Sequence, residues 1–251
     1  MSAELLALWD TDTTPDPRAQ TAKLIRELVR AASHDEALQK ISQLDVLDLA
    51  VDPWMKRSWP LDLNVLQLLP AVRGIKLNGS AVLSLEPLKS LTGLRTLHLD
   101  ELDLENADWL SALSFLEVVS LRRNKLRDVG FFAGLPNIRE VNVAENSLTT
   151  LSPFSQLEKL RLLDASQNMV ADLAPLSKRR SLRVLRLRRN ALTSLEGLED
   201  LRDIDELDVR DNRIMSLKPI KEMSLLNTLG IAGNPLTDDD VDTVRRSIRL
   251  L

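Results

Sequence analysis

The chain contains no cysteine and no tyrosine, only two histidines, and four residues each of phenylalanine and tryptophan. Without cysteine there is no disulfide framework, no thiol nucleophile and no thiolate zinc site. The two histidines, His34 and His98, leave little for imidazole catalysis or metal binding. Neither sign of charge dominates. Lys plus Arg number 33 and Asp plus Glu 37, a formal net charge of −4, which excludes the strongly basic footprint of a whole-chain nucleic-acid binder. No stretch approaches the ~18 consecutive apolar residues of a membrane span. The opening MSAELLALWD has neither the basic start nor the long apolar run of a secretory leader, so a soluble, cytoplasmic protein is expected. Asn78-Gly79-Ser80 matches a glycosylation acceptor but reads better as a turn.

What the chain has instead is leucine at a fixed spacing. Val72, Leu94, Leu116, Ile138, Leu160, Leu182, Ile204 and Leu226 are each 22 residues apart. With each of these as position 1, positions 4 and 6 are apolar in nearly every unit, as in Leu185 and Leu187. That alternation predicts a short strand with one face buried. Position 9 is Asn in six successive units: Asn124, Asn146, Asn168, Asn190, Asn212 and Asn234. An amide that both donates and accepts, repeated where the chain leaves the strand, predicts a ladder satisfying backbone groups of neighbouring coils. Position 11 is apolar throughout, and a further apolar series falls at positions 14, 17 and 20, as in Leu195, Leu198 and Leu201. Spacing by three suits a 3₁₀ or irregular return path. Pro87, Pro153, Pro175 and Pro219 at position 16 argue against long α-helices there.

The string L-x-x-L-x-L-x-x-N-x-L, repeated at this period over residues 72–236 with an L-x-P-L segment, resembles the leucine-rich repeats. It is most similar to the short class of the internalins and of a protein-phosphatase regulatory subunit. The resemblance implies an α/β right-handed solenoid with a curved parallel β-sheet on its concave face and a 3₁₀ or irregular convex side. It also implies non-catalytic binding of another protein through that face. A regulatory or inhibitory subunit of an intracellular enzyme, such as a phosphatase, is the alternative.

Four segments follow: an N-terminal helical cap over 1–43, a degenerate first coil over 44–71, repeats over 72–236 and a C-terminal capping helix over 237–251. Leu44, Leu47 and Leu49 have the internal spacing of a repeat but lie 28 residues before the next, so an insertion of six is expected. Ser80 and Leu102 occupy position 9 in the first two units, so the Asn ladder should begin at Asn124. In the cap, Asp16-Pro17 opens one helix, with Leu24, Ile25, Leu28, Val29 and Ala32 as its inward stripe. Ser33 and Glu36 form a capping box for a second helix, with Leu38 and Ile41 inward. At the other end, Asp238, Asp239 and Asp240 start a helix and Arg245, Arg246 and Arg249 finish it, in agreement with the helix dipole. Val241, Val244 and Ile248 would cover the last coil.

No phosphate loop, nucleophile elbow or H-E-x-x-H motif is present. No catalytic residue, metal, cofactor or small-molecule substrate is therefore expected. His98 with Asp100 and Glu101 is a surface group rather than an acid–base pair. Eight strands about 4.8 Å apart make a face of about 35–40 Å. On it, Arg186 between Asp164 and Asp208, Arg123 between Glu101 and Glu145, and Arg189 beside Asp211 read as self-paired charges. Arg122, Arg188 and Arg210 at position 7 are less balanced, and Leu162 and Val184 at position 3 form an apolar pair beside Arg186 and Arg188. An apolar pair framed by arginine is the composition of a protein-binding hot spot. Trp54 and Trp59, in the insertion, either plug the first coil or form a second binding loop. Interleaved acids and missing stacking aromatics argue against nucleic acid.

Overall fold

The computed structural model describes residues 2–10, 16–31, 33–51, 59–242, 244 and 249–250. Among the described residues, ten strands follow one another in a single parallel sheet, in sequence order. They are β1 (Val46–Asp48), β2 (Gly74–Lys76), β3 (Thr96–His98), β4 (Val118–Ser120) and β5 (Glu140–Asn142), then β6 (Leu162–Asp164), β7 (Val184–Arg186), β8 (Glu206–Asp208), β9 (Thr228–Gly230) and β10 (Arg249–Leu250). Each step from β2 to β9 is one 22-residue coil, so equivalent residues pair laterally, as Leu163 does with Leu185. The architecture is the expected leucine-rich repeat solenoid.

The core is the repeat pattern made solid. In one coil Leu182, Leu185, Leu187, Leu192, Leu195, Leu198 and Leu201 are all buried. Burying one such side chain contributes about 1.5–3 kcal/mol, so the stacked columns dominate the stability. The period of three on the return path is a run of i to i+3 bonds, such as Leu198 N to Leu195 O (3.2 Å) and Leu201 N to Leu198 O (2.9 Å). The prolines at position 16 open 3₁₀ turns, for example Glu86–Ser90 and Ser152–Gln156, where a missing N–H costs nothing. Phe132 and Phe154 pack across adjacent coils with ring centroids 5.2 Å apart and planes tilted by 45°.

The Asn ladder forms from Asn124 onward. Asn168 Nδ2 donates to the carbonyls of Val143, Ala165 and Ser166, and its Oδ1 accepts from Leu148 N. The other five asparagines repeat this bridging between coils. Ser80, in the first unit, supplies part of the same function by donating from Oγ to Leu49 O at 2.7 Å. The residue before each asparagine is left-handed. Position 8 has φ between 54° and 60° at Glu101, Arg123, Glu145, Gln167, Arg189 and Asp211, and glycine at Gly79 and Gly233. That twist aims the asparagine inward, at a cost of roughly 1–2 kcal/mol for each residue bearing a Cβ.

The degenerate first coil is present: β1 pairs with β2 through Leu47 and Ile75, and Leu61 bridges to Val82 beyond the insertion. Among the described residues the N-terminal cap holds three helices rather than two, α1 (Ser2–Asp10), α2 (Pro17–Leu28) and α3 (His34–Ser42). Asp16 and Ser33 cap α2 and α3 as expected, accepting from Arg18 N and Glu36 N. The inward stripe of α2 holds at Ile25, which is buried, and at Leu24 and Val29, which pack against the core, and is corrected at Leu28. Ala19, Thr21, Ala22 and Ile25 are buried, whereas Leu28 is 46 % exposed and Ala32 lies outside the described residues. The reason is α1, whose Trp9 donates from Nε1 to Ala22 O at 2.8 Å and covers the small-residue face of α2.

The C-terminal helix is also shorter than expected. It is α4 (Asp238–Asp242), capped by Thr237, whose Oγ1 donates to Asp240 at 2.7 Å. Val244 is buried as expected, while Arg245, Arg246 and Ile248 lie outside the described residues. Arg249 is not a helix terminus but part of β10, paired with Thr228 of β9. An open sheet edge offers unpaired backbone groups, and the returning chain takes them up. Among the described residues no helix is long and apolar enough to cross a membrane.

Candidate concave interface

Positions 3 and 5 of each strand, and positions 7 and 8 just after it, form the outward face of the sheet. Alternation along a strand sends position 4 into the core and leaves 3 and 5 outside. Position 5 also shapes the turn that follows. Asn142, Asp164 and Asp208 each accept from the backbone N–H two residues on, at Ala144, Ser166 and Arg210. Ser120 lacks that reach, and Asp100 of the preceding coil replaces it, accepting from Arg122 N at 2.8 Å and from Ser120 Oγ.

The charges on this face are paired more completely than their columns suggest. Arg186 does not bond to Asp164 or Asp208; it grips Glu206 with two bonds, 2.6 and 3.2 Å. Arg123 meets Glu101 at 3.2 Å, but Glu145 belongs to Arg122, whose Nε lies 2.8 Å from it. Arg189 approaches Asp211 at 3.4 Å, as expected, and Arg188 reaches the same carboxylate at 2.8 Å. Arg210 folds back on Asp208 of its own coil at 2.9 and 2.6 Å. Arg122, Arg188 and Arg210, the less balanced row, thus all have carboxylate partners. The decisive acid for Arg186, Glu206, sits at position 3 of the next strand. It is a diagonal neighbour, within reach of a long side chain but invisible when each column is read alone.

These pairs set the local ionisation. Hydrogen bonds donated to Glu145, Glu206 and Asp208 push the pKa of Arg122, Arg186 and Arg210 upward. The Arg188 guanidinium holds the Asp211 carboxyl below its usual range. Asp208 is only 5 % exposed, and its pair with Arg210 lies over Gly230, where a Cβ would stand 2.6 Å from Asp208 Oδ1. Glycine is therefore required at that point of β9.

Against this lattice, Leu162 and Val184 are direct cross-strand neighbours, both half-buried. Val118 is half-buried two strands away. Ala144 and Ser166 hold position 7 between Arg122 and Arg188, so the arginine row opens over small side chains. Trp59 is half-buried and packs on the core, while Trp54 lies outside the described residues. His98 sits on the face, yet Asp100 is occupied by Ser120 and Arg122, and Glu101 by Arg123. Burial, reinforced by Lys76, lowers the His98 pKa against the pull of Asp100, Asp48 and Glu140. Among the described residues no group of three or more His, Asp or Glu is placed to hold a metal ion.

The family described as leucine rich repeat matches residues 114–170. Internalin C2 of Listeria monocytogenes is similar over 88 % of this chain and 94 % of its own, at 24 % identity and a TM-score of 0.74. A leucine-rich repeat protein of Leptospira interrogans is similar over 88 % of this chain and 57 % of its own, at 23 % identity and a TM-score of 0.72. The leucine-rich repeat ectodomain of a plant receptor kinase from Arabidopsis thaliana, solved in complex with Casparian strip integrity factor 2, is similar over 82 % of this chain and 29 % of its own, at 18 % identity and a TM-score of 0.60. No curated protein matches the sequence.

Proposed function

We propose that this leucine-rich repeat protein is a non-catalytic scaffold that recognises a partner protein through the concave face of its sheet. The carrying observation is the half-exposed Leu162–Val184 pair, set beside a run of small side chains in an otherwise ion-paired surface. A solvated face has no need of that pair, whereas an interface centre does. Arg186 and Arg188 frame it, pre-ordered by Glu206 and Asp211, so they lose little freedom on binding. The face is long enough for a standard interface of about 800 Å² per partner. Arg122 and Arg210 belong to the same row. Trp59 we assign to the core side of the first coil. A cysteine-free chain makes no use of an oxidising compartment, and the cytoplasm is the location we assign.

The test is affinity capture from the source cells with the full chain and with a Leu162→Asp, Arg188→Glu variant. A protein enriched by the wild type and lost with the variant is expected, with the thermal melt nearly unchanged. Equal capture by both forms would overturn the concave-face reading. Assaying any captured enzyme with and without this chain separates plain scaffold from regulatory subunit.

A further inference from the structure

A second surface lies on the N-terminal rim of the sheet, at position 2 of each coil. There Arg139, Arg161 and Arg183 occupy three successive coils, linked by Arg161 N to Arg139 O (2.7 Å) and Arg183 N to Arg161 O (2.8 Å). All three side chains are exposed, at a lateral spacing of about 4.8 Å. Like charges at that spacing repel. The two outer arginines are relieved, Arg139 by Glu117 at 3.3 Å and Arg183 by Asp203 at 3.0 Å. Arg161, between them, has no side-chain hydrogen bond or ion pair among the described residues.

The preceding turn adds to the imbalance. Lys178, Arg179 and Arg180 enter the rim consecutively, and Arg180 and Arg202 line an open groove of about 340 Å³ with Asp200 and Asp203. Arg180 and Arg202 also have no ion-pair partner among the described residues. Arg179 stands at position 20, where the other coils carry Leu113, Leu135, Leu157, Leu201 and Met223 as core residues and Leu91 packed against the core. It is half-buried, and its Nε is shut off from solvent without a hydrogen-bond partner. Replacing a core leucine by arginine costs stability and adds yet another positive charge beside the rim.

We propose that this rim is a docking surface for an acidic segment of a protein, bound by Arg161, between the flanking Arg139 and Arg183, and by Arg180 and Arg202 on the turns leading into the next two coils. The carboxylates that interrupt it, Glu158, Asp200, Asp203 and Asp205, would repel a continuous phosphate backbone but leave room for spaced acidic side chains. Exposed stacking aromatics, which single-stranded nucleic acid would need, are missing from the row itself. The surface is distinct from the concave face, and neither depends on the other.

Fluorescence anisotropy of a labelled, alternating Glu-Gly octapeptide tests this on the full chain. Binding is expected at 50 mM salt and should weaken steeply by 300 mM. The double variant Arg161→Glu, Arg180→Glu should weaken it at least tenfold, because neither side chain supports the fold. Arg127→Glu, a charge reversal away from the rim, should change it less than twofold. Absence of binding at 50 mM salt, or equal losses in both variants, would overturn the proposal. So would tighter binding of a labelled dT12 oligonucleotide lost in the same double variant, which would reassign the rim to nucleic acid.

Discussion

Asn168 Nδ2 lies 3.0 Å from the carbonyl oxygen of Val143, 25 residues earlier and one coil away. The same amide bonds within its own coil to Ala165 and Ser166 and accepts from Leu148 N, so one side chain satisfies four backbone groups. Neighbouring coils are thereby joined by polar bonds in the interior as well as by the sheet.

Asn168→Ala should therefore be severe. It leaves the buried Leu148 N–H without its acceptor, at about 1–3 kcal/mol. It also takes one of two donors from the carbonyls of Val143, Ala165 and Ser166, which keep Asn146, Asn190 and Glu145 N, at about 1 kcal/mol for each of the two amide hydrogens lost. A loss of about 3–5 kcal/mol is expected in urea unfolding. Asn168→Asp should be similarly damaging, since a carboxylate cannot donate to those carbonyls. A loss below about 1 kcal/mol would mean that water replaces the amide.

Gln167→Gly should act in the opposite direction. Gln167 holds φ at 55° and its side chain has no hydrogen bond among the described residues. Glycine removes a strain of roughly 1–2 kcal/mol, offset by about 0.5–1 kcal/mol of added chain entropy in the unfolded state. A net gain of about 0.5–1 kcal/mol is expected from the denaturation midpoint. Destabilisation instead would show that the Gln167 side chain makes a contact in solution.

The Arg186–Glu206 pair should couple weakly but measurably. Its side chains are 38 % and 25 % exposed, so solvent screens much of the interaction. A double-mutant cycle with Arg186→Ala and Glu206→Ala should give about 0.5–1 kcal/mol at low salt, falling toward zero at 1 M. Coupling that ignores salt would mark the contact as packing rather than charge.

His98 makes stability depend on pH. Its imidazole is pushed below the ordinary 6.5 by burial and Lys76, so between the lowered value and 6.5 the unfolded chain binds more protons than the folded one. Stability should thus fall as pH drops through that window and level off once the folded imidazole is also protonated. His98→Gln should remove that share of the pH dependence, leaving the variant relatively more stable at acid than at neutral pH. An NMR titration midpoint for His98 at or above 6.5 would contradict the burial argument.

The period, the strand positions, the asparagine ladder and the proline-opened 3₁₀ turns were all legible in the sequence. Each coil meets the same local problem: one buried face, one turn and one set of carbonyls to satisfy. Residues such as Leu185, Leu187, Asn190 and Leu195 recur because that problem recurs. The pairing of Arg186 with Glu206 was not legible. It depends on strand spacing and side-chain reach across a diagonal, not on position within a column.

The ends were legible only in part for a related reason. Whether Leu28 faces inward depends on α1, and whether Arg249 is helical depends on the open edge of β9, neither of which is a property of the local pattern. Sequence alone determined how a coil is built, because the interactions inside a coil are short-range and periodic. Tertiary structure decided which charges neutralise each other and which, like Arg161, find no partner among the described residues, because those outcomes are settled between coils. That difference in range is why the repeat is plain in the sequence while the rim arginines emerge only from the stacked solenoid.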